Sequence, residues 1–243
     1  MVNQRTLKQS FTLNGQGLHT GHKIEITFNP APVDFGYKIK RVDLEDQPII
    51  DALAENVVNT QRGTVLGVNG VTVSTVEHAF SALYAYGIDN CLIEVNAPEF
   101  PIIDGSAIEY VNAIERVGIE EQDKEKEIFV VREKMEVYDP ETGSKLTLLP
   151  DDCLCINSSI EFDSQFIPNQ YASLDCLDNY KTEIAEARTF VFVREIQKLR
   201  EVGLIKGGNL DNAIVIYERK LPQVELDEIA DALNVPQIGR AHV

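Results

Sequence analysis

The chain has 243 residues, 44% of them apolar, with 39 acidic against 22 basic residues and a net charge of −17. That composition suits a globular protein with a real core, built as one large domain or two of ordinary size. It argues against a nucleic-acid partner, which needs a concentrated basic face, because no basic cluster exceeds Lys38-Ile-Lys-Arg41.

The first ten residues carry no apolar run behind their basic positions, so the start does not read as a signal peptide. No stretch approaches the ~18 to 20 apolar residues of a membrane span, and the expected location is the cytoplasm. Leu7, Phe11 and Leu13, then Ile24 to Phe28, alternate in the strand manner around Gly17-Leu-His-Thr-Gly21, which predicts a hairpin with a glycine loop. Tyr37 to Val42 reads as a further strand. Thr64 to Thr72 reads as a second hairpin turning at Asn69-Gly70.

Helical spacing then takes over. Ser74 to Tyr86 carries Val76, Phe80, Leu83 and Tyr84 on one stripe and stops at Gly87. Cys91 to Val95 is a strand, and Ser106 to Arg116 is a second helix, capped by Asp104 or Ser106. The charged run Glu120 to Glu127 is the best linker candidate and divides the chain into domains 1–124 and 125–243.

The second half begins again with strands at Ile128–Val131, Met135–Tyr138, Lys145–Leu149 and Cys153–Ile160. Helices are expected over Leu177–Ala187, over Val193–Val202 and from near Glu225, with a buried-type strand at Ala213–Tyr217. Strands followed by helices in each half give an α+β fold of two layers per domain. Cys91, Cys153, Cys155 and Cys176 read as buried or partly buried reduced thiols, with Cys153 and Cys155 on one strand face.

Two segments could carry chemistry. Ser74-Thr-Val-Glu77-His78 opens a helix; Ser74 and Glu77 suit a capping box, and His78 points away from the helix's own apolar stripe, toward water or a cleft. His19 and His22 lie in the glycine loop, where they could chelate a metal or simply decorate a tight turn whose glycines supply positive φ.

In this order, Gly17-Leu-His-Thr-Gly21, Ser74-Thr-Val-Glu-His78, Gly87-Ile-Asp-Asn90, Glu94-Val-Asn-Ala-Pro-Glu99, Ile103-Asp-Gly-Ser106, Ala187-Arg-Thr-Phe190 and Gly207-Gly208 resemble the zinc-dependent UDP-3-O-acyl-N-acetylglucosamine deacetylases of lipid A synthesis. The resemblance extends to about Pro236. It implies two domains, each a β-sheet layered with two helices, and a zinc-dependent active site between them. It makes His78 a zinc ligand, Glu77 the general base and Thr189 the hydroxyl facing the oxyanion. Leu18 and His19 would line the site from the first domain. Phe190, Val193, Ile196, Ile205, Ala213 and Val215 would match an apolar passage for the acyl chain.

The family's remaining zinc ligands, a His and an Asp four apart, and a neighbouring Lys are expected beyond the end of this chain. The piece in hand is therefore expected to be truncated and inactive. A non-catalytic nucleotide-sugar-binding module of the same fold is the alternative. Some family members continue into a hydroxyacyl-carrier-protein dehydratase. Ile238-Gly-Arg-Ala-His-Val243 matches, in one reading frame, a common sequencing-adapter oligonucleotide, so His242 is not expected to be a protein feature.

Overall fold

The computed structural model describes residues 2–233 except 163, 165, 166, 217 and 219–221. The tail at 238–243, with His242, lies outside the described residues, as does Tyr217 at the end of an expected strand.

The first half runs β1 (Asn3–Leu7), β2 (Phe11–Gln16), β3 (Lys23–Pro30), β4 (Tyr37–Arg41), β5 (Ile49–Asp51), β6 (Val57–Asn59), β7 (Val65–Val68), β8 (Val71–Ser74), α1 (Glu77–Ala85), β9 (Cys91–Val95), α2 (Ile108–Val117) and β10 (Ile119–Glu125). The second half runs β11 (Met135–Tyr138), β12 (Lys145–Leu148), β13 (Ile156–Ile160), β14 (Gln170–Leu174), α3 (Tyr180–Glu183), β15 (Phe190–Phe192), α4 (Val193–Glu201), β16 (Ile214–Ile216) and α5 (Gln223–Leu233). The fold is α+β.

Strand alternation sets the main sheet. In β3, Ile24, Ile26 and Phe28 are buried while Lys23 and Glu25 face solvent, the period-two pattern of a half-covered strand. The sheet order is β2-β3-β9-β4-β5, parallel only between β4 and β9. Helices α1 and α2 pack on each other, and Tyr110 of α2 meets the ring of Phe28 edge-on at 5.8 Å. Helix α2 has no side-chain bond at its cap position, Ala107, although the Ser106 hydroxyl accepts the Ile108 N–H at 3.2 Å. A good cap contributes about 1 kcal/mol. Burying Val111 and Ile114 contributes roughly 1.5 to 3 kcal/mol each, so packing rather than capping holds this helix.

Several expectations are corrected. The capping box at Ser74 and Glu77 does not form: Ser74 ends β8, where both its N–H and its hydroxyl donate to the Pro98 carbonyl. Helix α1 consequently starts three residues late. Val76 and Leu83 are buried as expected and Phe80 packs on the core, but Tyr84 is 54% exposed, and Ala79 and Ala82 complete the buried stripe. The charged run at 120–127 is, up to Glu125, strand β10 paired with β1. Residues 128–131 form no strand, and the long helix expected over 177–187 is a 3-10 turn at Leu177–Asn179 followed by one turn of α3. Cys153 and Cys176 are exposed, and Cys153 and Cys155 precede β13 rather than lying within it.

The core draws on residues from Leu7 to Ile114, joined from the second half by Leu174, Tyr180 and Ala185. In the second half β11 pairs with β12, β13 with β14 and β15 with β16, as three separate two-stranded sheets. Every residue of β11, β12 and β13 is exposed.

Candidate active site

The glycine loop between β2 and β3 is held from below by one buried carboxylate. Glu99 accepts the backbone N–H of His19 at 2.8 Å and of Thr20 at 2.9 Å, and the Thr20 hydroxyl at 2.7 Å. The Thr75 hydroxyl adds a longer contact at 3.3 Å. Gly17 is required here for space rather than for positive φ: a Cβ at Gly17 would overlap Glu99 Oε2. Only Gly21, of the two glycines flanking this turn, has positive φ, at 72°. The loop meets the second half directly, since the Leu18 carbonyl accepts the Gly207 N–H at 3.1 Å.

Glu77 and His78 occupy the first turn of α1, reached through Thr75, whose φ is 60°. A non-glycine residue in that region is uncommon, and it turns the chain sharply out of β8 into the helix. Glu77 Oε2 accepts the Thr64 N–H at 3.0 Å, so the carboxylate is tied to the loop between β6 and β7 instead of to its own helix. His78 is half-buried. Burial pulls its imidazole below the ordinary histidine value, against the opposing influence of the Glu77 and Asp104 carboxylates. The imidazole is thereby kept neutral, the form that ligates a metal.

Thr189 is fixed by its backbone. Its N–H donates to the Gly105 carbonyl at 2.8 Å, and its own carbonyl accepts the Ile214 N–H at 2.9 Å. Its hydroxyl has no hydrogen-bond partner among the described residues. Arg188 braces the same turn, with Nε donating to the Asp104 carbonyl at 2.7 Å.

Thr189 opens onto a cleft of about 550 Å³, counted with its mouth. Leu18 and His19 line it from the glycine loop; Phe190, Ile196, Ile205, Ala213 and Val215 line it from the second half. Of the residues expected on an acyl passage, only Val193 is absent from the lining; it opens α4 half-buried. Glu77 and His78 are not on the wall of the cleft itself. They adjoin it through two loops: Gly63-Thr64, next to Arg62, and Asp104-Gly105, next to Thr189.

Sequence reasoning missed Arg62 and Glu99. Arg62 lines the cleft, pairs with Glu195 of α4 and accepts a contact from the His19 ring on its carbonyl at 3.1 Å. Glu99 stood in a quoted motif with no role attached. A carboxylate placed among Ala97, Pro98 and Phe100 is the signal that could have marked it as internally paired.

Comparison with known proteins shows the family of the chain. The family model for UDP-3-O-acyl N-acetylglycosamine deacetylase matches residues 4–228. A bifunctional enzyme LpxC/FabZ of Bacteroides thetaiotaomicron is 58% identical over 238 residues, covering 98% of this chain and 52% of that protein. A protein of the same description from Porphyromonas gingivalis is 58% identical over 235 residues, covering 97% of this chain and 51% of its own length. A UDP-3-O-acyl-N-acetylglucosamine deacetylase of Myxococcus xanthus is 43% identical over 217 residues, covering 89% of this chain and 68% of its own. The chain thus spans about half the length of the bifunctional relatives it matches. With the family model matching residues 4–228 of 243, the chain belongs to the UDP-3-O-acyl N-acetylglycosamine deacetylase family.

Proposed function

We propose that this chain supplies the base, one metal ligand and the acyl-binding cleft of a zinc-dependent amide hydrolase that removes acetate from UDP-3-O-acyl-N-acetylglucosamine. The observation that carries the reading is the neighbourhood of a helix-start imidazole whose burial favours the neutral form, an anchored carboxylate and an apolar cleft lined by Thr189.

A zinc ion fits these residues in part. His78 offers one neutral nitrogen beside two carboxylates, which suits a divalent cation. Among the described residues no second imidazole or thiolate is grouped with it, and a catalytic zinc takes three protein ligands. We assign the other two to residues outside those described. Zinc, when bound, supplies Lewis-acid polarisation of the amide carbonyl and a more acidic attacking water.

The protein's own residues do the rest. Glu77 keeps Oε2 on the Thr64 N–H and has Oε1 available to take a proton from water. Thr189, its backbone fixed at both the N–H and the carbonyl, is assigned the hydroxyl that donates to the oxyanion. The cleft excludes water from the acyl chain and contributes ~0.8 kcal/mol for each methylene it buries. A nucleotide-activated sugar is a cytoplasmic substrate, and the reaction is assigned to that compartment. By analogy with the bifunctional relatives, a fused dehydratase belongs to the proposal for the longer protein. A non-catalytic sugar-nucleotide module is the second reading, favoured by His78 belonging, among the described residues, to no group of three potential metal ligands.

The test is Glu77→Gln in a protein of the relatives' length. Glutamine still accepts the Thr64 N–H, so fold and zinc content should persist while turnover falls ~10² to 10⁴-fold. Turnover within a few-fold of the parent would remove Glu77 from the chemistry. A parent protein that binds the nucleotide sugar without hydrolysing it would favour the second reading.

A further inference from the structure

Away from the cleft, the chain leading into β13 brings three potential ligands together. The Sγ atoms of Cys153 and Cys155 lie 3.5 Å apart, and Cys153 Sγ lies 4.0 Å from Asp151 Oδ1. All three ligand atoms fall within 4.8 Å of one another. A fourth donor faces them: the Asp175 carbonyl oxygen is 3.3 Å from Cys155 Sγ and 3.9 Å from Cys153 Sγ. Two thiolates on one tetrahedral zinc, each at ~2.3 Å, stand ~3.8 Å apart, so the observed sulfur separation is already close to that of a filled site. The group is exposed enough for an ion to enter.

We infer that Asp151, Cys153, Cys155 and the Asp175 carbonyl form a second metal site, for a thiophilic divalent ion such as zinc, distinct from the site at His78. Its position gives it a task. Cys155 and Asp175 flank Ile156 and Leu174, the pair at the open end of the β13–β14 hairpin. Among the described residues that hairpin is a two-stranded sheet with no further strand beside it, and such a pair is marginal alone. An ion bridging 151–155 to 175 staples the two strands where they would otherwise separate.

On binding a divalent cation, both thiols release their protons to solvent as the two metal–sulfur bonds form.

The test is titration of the metal-free, reduced chain with Cd²⁺, read by the ultraviolet thiolate-to-metal charge-transfer band and by amide exchange. The band should saturate at one ion per chain, and exchange across β13 and β14 should slow about tenfold or more. Cys153→Ser and Cys155→Ser should each abolish that saturating band, Asp151→Asn should weaken binding about tenfold, and His78→Ala should leave the band unchanged. Lowering pH should weaken binding by up to about a hundredfold per unit, because two protons are displaced. Absence of a saturable band, its survival in Cys155→Ser or its loss in His78→Ala would overturn the site. So would finding Cys153 and Cys155 joined to each other by a disulfide under reducing conditions.

Discussion

A carboxylate with no access to solvent must find its partners inside the protein, and Glu99 does so entirely on the glycine loop and Thr75. Its two oxygens accept from His19, Thr20 and Thr75, so every contact needs an acceptor. Glu99→Gln would turn one of them into an NH₂ group facing N–H donors, leaving buried donors unpaired. Roughly 1 to 3 kcal/mol of stability should be lost, read by denaturant unfolding with an unchanged slope. Because the loop carries Leu18 and His19 onto the cleft wall, the same change should weaken substrate binding. Full stability in the variant would mean the loop finds other partners. This anchor was illegible in the sequence because the partners lie about 80 residues apart. The place of Glu77 and His78 at a helix start was legible, since that is a local pattern. Their true restraint was not, for the bond from Thr64 competes with a capping box that looked equally good.

At the scale of elements, the approach to α2 and the entry to β15 are locked to each other through Gly105. Its φ is 88°, and an added Cβ would overlap the Asn212 carbonyl oxygen, a backbone atom that cannot swing aside. Its carbonyl in turn receives the Thr189 N–H. Gly105→Ala therefore meets two separate penalties, a strained backbone and a steric clash, each of order 1 to 3 kcal/mol. The variant should melt earlier and, in a protein of the relatives' length, lose turnover through displacement of Thr189. A melting temperature within error of the parent would show that the two segments are not tightly coupled. Elements were legible where a pattern was strong and self-contained: Cys91–Val95 and Met135–Tyr138 match residue for residue. They were not legible where pairing overrode composition. The acidic β10 is a strand because β1 offers it a partner, whereas apolar Ile128–Val131 finds none. The cleft lining shows the same division. Most of its apolar residues were expected from the family resemblance, but Val191 and Leu199 were not, and Arg62 reaches it from a loop between two short strands that carries no motif at all.

Across the whole molecule, packing is unevenly distributed. The first half owns nearly all of the buried cluster, while β11 to β14 leave Val137, Leu146 and Tyr171 more than 60% exposed, with Phe129 just ahead of them at 78%. Exposed apolar side chains of that kind bind amphiphilic dyes, and segments with few buried contacts are the first to open. Links from the second half to the first include the Ser81 and Tyr180 hydroxyls at 2.7 Å, Lys181 with Glu115, Arg188 with the Asp104 carbonyl, Arg62 with Glu195, and the clamps on Thr189 and Gly207. All of these lie beyond residue 176, whereas every residue of β11, β12 and β13 is exposed. Brief proteolysis should therefore cut first within about 127 to 170 and leave a resistant piece ending near Glu125, where β10 is still paired with β1. Before cleavage the chain should bind an apolar fluorescent dye, and after removal of the second half the signal should fall. Saturating the inferred cysteine site with metal should delay cuts between Ile156 and Leu174 without altering those around Phe129. Uniform resistance along the chain, with one cooperative transition and no dye binding, would show that the two halves are stabilised as a single unit.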